Sequence, residues 1–330
     1  KIINFKIKSF KMFLNQFKLV KNNSLRYFSI IKEIKKVGVI GLGLMGHGVA
    51  QVTAQSGYNV IAIENNSNSL ENGNKRIEQS LKKVITKDVK NGKINENEGN
   101  QLFGEVMNKI VFTTDINQAH DCDLVIEAII ENMDIKLQFY KDLANKVKPD
   151  AIFASNTSSL QITNMALASG RPKNFVGLHF FNPVQLMKLV EVIKTEHTDP
   201  QAIQLMTNFA HSINKTSVLC TDTPGFIVNR LLIPYLSEAM GLLDRNVASV
   251  ADIDISMKLG AGYPMGPLQL ADYVGLDTCL HILEGWLKDY PNDRFFIPNI
   301  LRQKVKEGNY GRKTGKGFYH WNGDKVENPV

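Results

Sequence analysis

The sequence predicts an α/β fold, a doubly wound and mostly parallel sheet followed by an all-α C-terminal domain. Three observations carry this. A glycine-rich turn separates a strand-like from a helix-like stretch within residues 37–53. Short β-branched runs then alternate with helical patterns, the signature of parallel strands joined by crossover helices. From Asp222 onward, broad apolar helical patterns joined by Gly/Pro turns take over.

The first element is the strand candidate Val37-Gly38-Val39-Ile40, which runs into glycines at 41, 43 and 46. A helical pattern follows through Val49, Ala50, Val52 and Thr53. Strand, glycine turn and helix in that order form the dinucleotide fingerprint in its required context, so the fold is Rossmann-like. Gly41 allows the tight turn, and Gly43 leaves no side chain between backbone and pyrophosphate. Gly46 lets helix and strand pack closely, and the helix N-terminus offers unpaired N–H groups to the phosphates. Gly41, Gly43, Leu44, Met45 and Gly46 are therefore the candidate cofactor loop. His47 reads as a first-turn side chain beside the pyrophosphate.

At 330 residues the chain suits one large domain or two modest ones. The patterns divide it into a leader over 1–28, a dinucleotide-binding domain over 29–222 and a helical substrate and dimerisation domain over 223–330. A hydrophobic content of 43% and a charged content of 22% are ordinary for a globular protein. No apolar run approaches the roughly 18 residues of a membrane span, so no membrane insertion is expected. Cys122, Cys220 and Cys279 are far apart and fit neither disulfide nor metal spacing. The formal charge of +7 suggests nucleic acid only until it is located. Residues 1–28 hold seven Lys or Arg and no acid, and the other 32 basic residues equal the 32 acidic ones. A steering field for polyanions has no support in a neutral body, and no nucleic-acid partner is expected.

The leader is basic, acid-free and interleaved with Phe, Ile and Leu, the composition of a mitochondrial transit peptide. Met12 opens a plausible start, and Arg26-Tyr27-Phe28-Ser29 resembles a matrix processing site.

After the fingerprint, Asn59-Val60-Ile61-Ala62-Ile63 reads as the second strand, ending in Glu64, 18 residues past Gly46. An acid there accepts hydrogen bonds from the adenosine ribose hydroxyls and repels a 2′-phosphate. Asn65 and Asn66 follow with no Arg, so NAD is expected over NADP. Residues 67–107 are polar and helical, with Ile77, Leu81, Val84 and Ile85 as an apolar stripe beside Arg76, Lys82, Lys83 and Lys87. That basic face is either merely solvated or a phosphate contact. Residues 110–113, 123–127 and 151–155 are three more strands, with a helix over roughly 134–147 between the last two. Residues 175–181 and 189–193 are too close together for a helical crossover, and predict an antiparallel edge. Thr223 and Pro224 are expected to cap and open a helix carrying Ile227, Val228, Leu231, Leu232, Tyr235, Leu236, Ala239 and Met240. A helix this broadly apolar is buried between domains or subunits.

His179 lies near the end of an apolar strand, and Glu191 sits inside Leu189-Val190-Glu191-Val192-Ile193. A carboxylate in such a strand needs a partner. Adjacent antiparallel strands would set Glu191 beside His179, giving either a carboxylate-oriented base for work near neutral pH or a purely structural pair. Ser155-Asn156-Thr157-Ser158-Ser159 follows a strand, where its hydroxyls either face the ligand crevice or cap a helix over 160–168. Asn229 is either a substrate ligand or a local hydrogen-bonding group in the apolar helix.

Taken together, these stretches closely resemble the L-3-hydroxyacyl-CoA dehydrogenase family over nearly all of residues 34–320. The match rests on Gly41–Gly46, Glu127-Ala128-Ile129-Ile130-Glu131-Asn132, Ser155–Leu160, Gly177-Leu178-His179-Phe180-Phe181-Asn182-Pro183, Lys188–Ile193, Asp222–Arg230 and Gly262-Tyr263-Pro264-Met265-Gly266-Pro267. With no hydratase-like stretch ahead of the fingerprint, the resemblance is to the stand-alone mitochondrial type, which acts in fatty-acid β-oxidation in the matrix. It implies that His179 accepts the 3-hydroxyl proton while C3 delivers hydride to NAD, that Glu191 orients the imidazole, and that Ser158 and Asn229 hydrogen-bond the substrate oxygen. Glu131, Lys136, Ser158, Asn182 and Lys313 match NAD contacts, and Ser80, Lys87 and Ser158 match coenzyme A contacts. No metal is implied, and a homodimer through the C-terminal domain is. Glu64 stands where many members have Asp, and Gln185-Leu186 departs from an otherwise matched stretch near the acyl pocket. Two other readings remain at this point: a dehydrogenase of a hydroxy acid lacking coenzyme A, and a non-catalytic NAD-binding protein.

Overall fold

The computed structural model describes residues 33–291 and 295–330. The transit peptide expected over 1–28 and the Arg26–Ser29 processing site lie outside the described residues. A sheet of eight strands is built from β1 (Lys36–Ile40), β2 (Asn59–Ile63), β3 (Ile110–Thr113), β4 (Leu124–Glu127), β5 (Ile152–Ser155), β6 (Phe175–Phe180), β7 (Leu189–Lys194) and β8 (Thr216–Thr221). Their order is β3-β2-β1-β4-β5-β6-β7-β8. Every pairing is parallel except β6 with β7.

Alternation along each strand splits its side chains between two apolar layers. Val37, Val39, Val60, Ala62, Leu124 and Ile126 join one core, which α1 (Gly46–Gln55) and α2 (Ser67–Lys90) cover through Val49, Ala50, Ile77 and Leu81. Ile40, Ile61, Ile63, Val125 and Phe153 enter the other, beneath α4 (Met133–Ala144) and α5 (Ile162–Ala168). The polar stretch 67–107 is two helices, α2 and α3 (Glu96–Met107). Asn95 and Glu98 restart the chain with a reciprocal capping box.

Three expectations need correction. The antiparallel pair is present, but β7 is interior, because β8 follows α6 (Pro200–Ser212) and pairs beside it as the edge. Thr216-Ser217-Val218-Leu219-Cys220-Thr221 is polar and largely open to solvent, so it lacks the apolar run that announces an inner strand. Next, the serine-rich stretch does not cap α5. Both carboxylate oxygens of Asp222 do, accepting from the N–H groups of Ile162 at 3.1 Å and Thr163 at 2.7 Å. Lastly, Thr223-Pro224 does not open a helix. Gly225 at φ +74° and Phe226 at φ +54° are left-handed and force a turn, which Phe226 N–H closes on the Thr223 carbonyl at 3.0 Å. The helix α7 begins only afterwards (Val228–Asp244).

The C-terminal part consists of α7, α8 (Val250–Gly260), α9 (Pro267–Val274), α10 (Leu276–Asp289) and α11 (Asn299–Lys306) around a third apolar cluster. It also carries an antiparallel hairpin, β9 (Tyr319–Asn322) with β10 (Lys325–Pro329). Gly323-Asp324 supplies the two-residue turn, with Gly323 at φ +60°. Trp321 points inward to Asp272, which accepts from its indole and from the Tyr319 main-chain N–H at 2.9 Å each, while the Tyr319 hydroxyl reaches Asp254 at 2.8 Å.

Candidate active site

In an open α/β sheet, ligands bind where strand order reverses, outside the carboxyl ends of the strands. Here that point lies between β1 and β4. The glycine loop leaves β1, Ala128 leaves β4, and the two segments line a pair of cavities of about 660 and 420 Å³ that share Ala128 and Ile129.

The glycines do separate jobs. A Cβ on Gly46 would stand 1.7 Å from the Gly41 carbonyl oxygen, and one on Gly41 would stand 2.5 Å from that of Ala128. Gly41 is also left-handed, at φ +89°. These two let loop, strand and helix touch. A Cβ on Gly43 would meet nothing within 4 Å, so that glycine faces the open cleft. This is the cradle a pyrophosphate requires, and the residues present fit a dinucleotide. Leu44 is largely exposed beside it, and both Leu44 and Met45 line the smaller cavity. His47 is held by its Nδ1 against the Gly43 carbonyl at 2.7 Å. Burial pushes its pKa down, opposed by that bond and aided by the charge of Arg76, so it adds no cation to the loop near neutral pH.

Glu64 directly follows β2 on the wall of the larger cavity, with Asn65, Ile130 and Ile135. Its Oε1 accepts from the Leu42 N–H at 2.6 Å, so it braces the glycine loop as well as facing the cleft.

The smaller cavity gathers Glu131, Ser158, His179, Asn182 and Asn229 from four separate segments. Register in the antiparallel pair sets His179 opposite Glu191. Nδ1 lies 2.7 Å from Glu191 Oε2. A carboxylate only accepts, so Nδ1 carries the proton and Nε2 is left as the acceptor. Glu191 is fully buried, and its Oε1 is held by the N–H groups of Ile227 at 3.0 Å and Val228 at 2.9 Å. The rings of Phe181 and Phe226 flank the imidazole, with centroids at 4.5 and 5.7 Å.

Beside this dyad, Glu131 Oε1 accepts from the Thr157 hydroxyl and from the Ser158 N–H at 2.9 Å. Asn229 Nδ2 donates to the Ser158 carbonyl at 3.2 Å. Lys136 is 1% exposed and stands behind Glu131, with Nζ at 3.0 Å from Glu131 and 2.7 Å from Glu127. Burial works against the Glu131 carboxylate, but Lys136, Thr157 and Ser158 outweigh it and hold its pKa below the usual range.

Three sequence candidates lie apart from these cavities. Lys313 is ion-paired with Asp277 at 2.5 Å in the C-terminal part. Ser80 and Lys87 share one face of α2, seven residues apart, half-buried and exposed. The free thiols of Cys122, Cys220 and Cys279 are each pushed up to about 12, chiefly by burial. Among the described residues no group of three or more His, Cys, Asp or Glu is arranged to hold a metal ion.

Sequence reasoning gave no individual role to five contributors. Glu127 is fully buried with Lys136, Tyr140 and Ser155. It carried a signal like that of Glu191, an acid within an apolar strand. Asn156 accepts from the Phe180 N–H at 2.9 Å and lines the cavity, and Thr157 braces Glu131. The N–H groups of Ile227 and Val228 carry no side-chain signal at all.

Known proteins resemble the chain over most of its length. Residues 36–223 match the family model for the 3-hydroxyacyl-CoA dehydrogenase NAD binding domain, and residues 225–321 match that for its C-terminal domain. The chain is 47% identical over 290 residues to hydroxyacyl-coenzyme A dehydrogenase, mitochondrial, of Sus scrofa, covering 87% of this chain and 91% of that protein. It is 46% identical to a probable 3-hydroxybutyryl-CoA dehydrogenase of Deinococcus radiodurans, covering 87% of this chain and all of the other. Among solved structures it is similar to the (S)-3-hydroxybutyryl-CoA dehydrogenase of Ralstonia eutropha, with a TM-score of 0.82 at 35% identity, covering 88% of this chain and 100% of that one.

Proposed function

The chain belongs to the 3-hydroxyacyl-CoA dehydrogenase family, and on that premise we propose that it oxidises (3S)-3-hydroxyacyl-CoA to 3-oxoacyl-CoA in fatty-acid β-oxidation. The observation that carries the reading is the buried His179–Glu191 pair opening onto the same cavity as Ser158 and Asn229. Bound NAD supplies the hydride acceptor. His179 Nε2 takes the proton from the 3-hydroxyl, which lets the C–O bond become a carbonyl as the hydride leaves C3. Glu191 keeps the ring in the correct tautomer and stabilises the imidazolium. Ser158 and Asn229 hydrogen-bond the reacting oxygen. Glu131 and Asn182 bind the nicotinamide end of the cofactor, Glu64 binds the adenosine ribose, and Lys136 serves the cofactor through Glu131.

Ser80 and Lys87 bind the phosphates of coenzyme A from α2, where the nearby Arg76 and Lys83 add positive charge. Lys313 joins the NAD contacts by exchanging its Asp277 partner. The chain acts as a homodimer. What supports this is the apolar side chains left open on two helices, Ile227 and Leu231 (70% exposed) at the start of α7, and Ile255 and Leu259 (83% exposed) on α8. The mitochondrial relatives and the acid-free basic leader support a matrix location.

The test is NADH oxidation by the purified protein with acetoacetyl-CoA. Turnover supports the reading, and its absence across a series of 3-oxoacyl-CoA chain lengths overturns it.

A further inference from the structure

We infer that the first turn of α7 is a working part of the proton-accepting unit. The main-chain N–H groups of Ile227 and Val228 fix Glu191, and Gly225 and Phe226 are positioning residues that aim them. The inference rests on the reading of His179 as the proton acceptor.

The two oxygens of Glu191 have separate partners. Oε2 meets His179 Nδ1 at 2.7 Å, and Oε1 meets the two N–H groups at 3.0 and 2.9 Å. A carboxylate bound only by the imidazole would be free to rotate about its last side-chain bond. Three bonds in two directions fix its plane, and with it the tilt of the ring. The donors belong to a helix start with no side-chain cap of its own, so unpaired N–H groups and the positive end of a 17-residue helix both converge on this anion. The cap comes from the sheet, 36 residues earlier in the chain.

The turn that aims the donors is constrained from both sides. Phe226 is a non-glycine residue at φ +54°, a conformation held only where surrounding structure requires it. It is 4% exposed, packed in the core beneath β6 and β7, with its ring against His179. Gly225 stands so close to the helical cluster that a Cβ would lie 2.4 Å from Trp286. Trp286 sits in the C-terminal core. The C-terminal helices therefore set the height of the turn over Glu191. Asn229, one residue past Val228, reaches the Ser158 carbonyl from the same turn. One short segment thus ties base orientation to a substrate contact.

The experiment replaces the Val228 amide with an ester by incorporating the matching α-hydroxy acid, which deletes one N–H and keeps every side chain. The same replacement at Val247 is the control. Its N–H bonds the Leu242 carbonyl at 3.0 Å, at the far end of the same helix from Glu191. With acetoacetyl-CoA and NADH, the Val228 ester is expected to lower kcat about tenfold, in line with losing a hydrogen bond to a charged group. KM for NADH should stay within about twofold, and the far-downfield proton resonance of His179 Nδ1–H should shift. The Val247 ester should leave kcat and that resonance near the parent values. Equal behaviour of the two esters overturns the inference. Gly225→Ala, which drives the turn into Trp286, is expected to move the same resonance, and if that variant does not fold the esters still decide. An inactive parent enzyme would instead fail the functional reading itself.

Discussion

His179 and Glu191 face each other across β6 and β7, the one antiparallel pairing in the eight-stranded sheet of the described residues, with Nδ1 and Oε2 2.7 Å apart. Opposed strands bring side chains twelve residues apart onto one face at one level, which a helical crossover would not. His179→Gln keeps a polar side chain there but removes the acceptor nitrogen. Turnover should fall about 10²–10⁴-fold, the range for loss of a general base. NADH affinity by fluorescence titration should be largely kept, and near-parent turnover would refute the role.

The glycine loop separates folding from binding within six residues. Gly46→Ala sets a Cβ 1.7 Å from the Gly41 carbonyl oxygen, whereas Gly43→Ala meets no protein atom within 4 Å. Thermal denaturation should find Gly46→Ala strongly destabilised and Gly43→Ala close to the parent. Calorimetry with NADH should find Gly43→Ala weakened tenfold or more, because its methyl occupies the space of the pyrophosphate. Parent-like NADH affinity would remove this loop from the binding site.

Glu64→Ala removes both the carboxylate that disfavours a 2′-phosphate and the acceptor bonded to the Leu42 N–H at 2.6 Å. The kcat/KM ratio for NADH over NADPH should fall at least tenfold, with KM for NADH rising. Unchanged cofactor kinetics would leave Glu64 as a brace for the loop alone.

Lys136 has no route to solvent and lies between Glu127 and Glu131. Lys136→Met strands the fully buried Glu127 without its cation, and breaking such a pair costs about 3–5 kcal/mol. Urea denaturation should show a loss of that size. KM for NADH should rise as well, since Glu131 loses its anchor. A stable variant with raised KM would mean Lys136 touches the cofactor directly.

Acid should act through Glu131. Its folded-state pKa is lowered, because Lys136, Thr157 and Ser158 outweigh the effect of burial. Its contribution to stability is therefore complete above the ordinary carboxylate value of about 4.3 and is lost as pH falls through the lowered one. A series of melting temperatures from neutral pH downward should fall less steeply below that value in Glu131→Gln than in the parent. Parallel curves would leave Glu131 uncoupled from acid unfolding.

Much of this protein was determined by the sequence alone, because the relevant physics is local. Strand, glycine turn and helix are contiguous, so the cofactor loop and the parallel sheet follow from period and spacing. Glu191 inside an apolar strand demanded a partner wherever the chain went, and His179 was near enough to be named. What only the tertiary structure decided is what distant segments do to one another. The edge strand β8 is polar and half-open, so no hydrophobic pattern announced it. Thr223-Pro224 looks like a helix start, yet left-handed Gly225 and Phe226 delay α7 to Val228. Asp222 caps a helix some 60 residues earlier in the chain, and Glu191 receives main-chain N–H groups 36 residues later. Backbone donors have no residue type, so they leave no mark in a sequence; they become visible only when folding sets them against a charge.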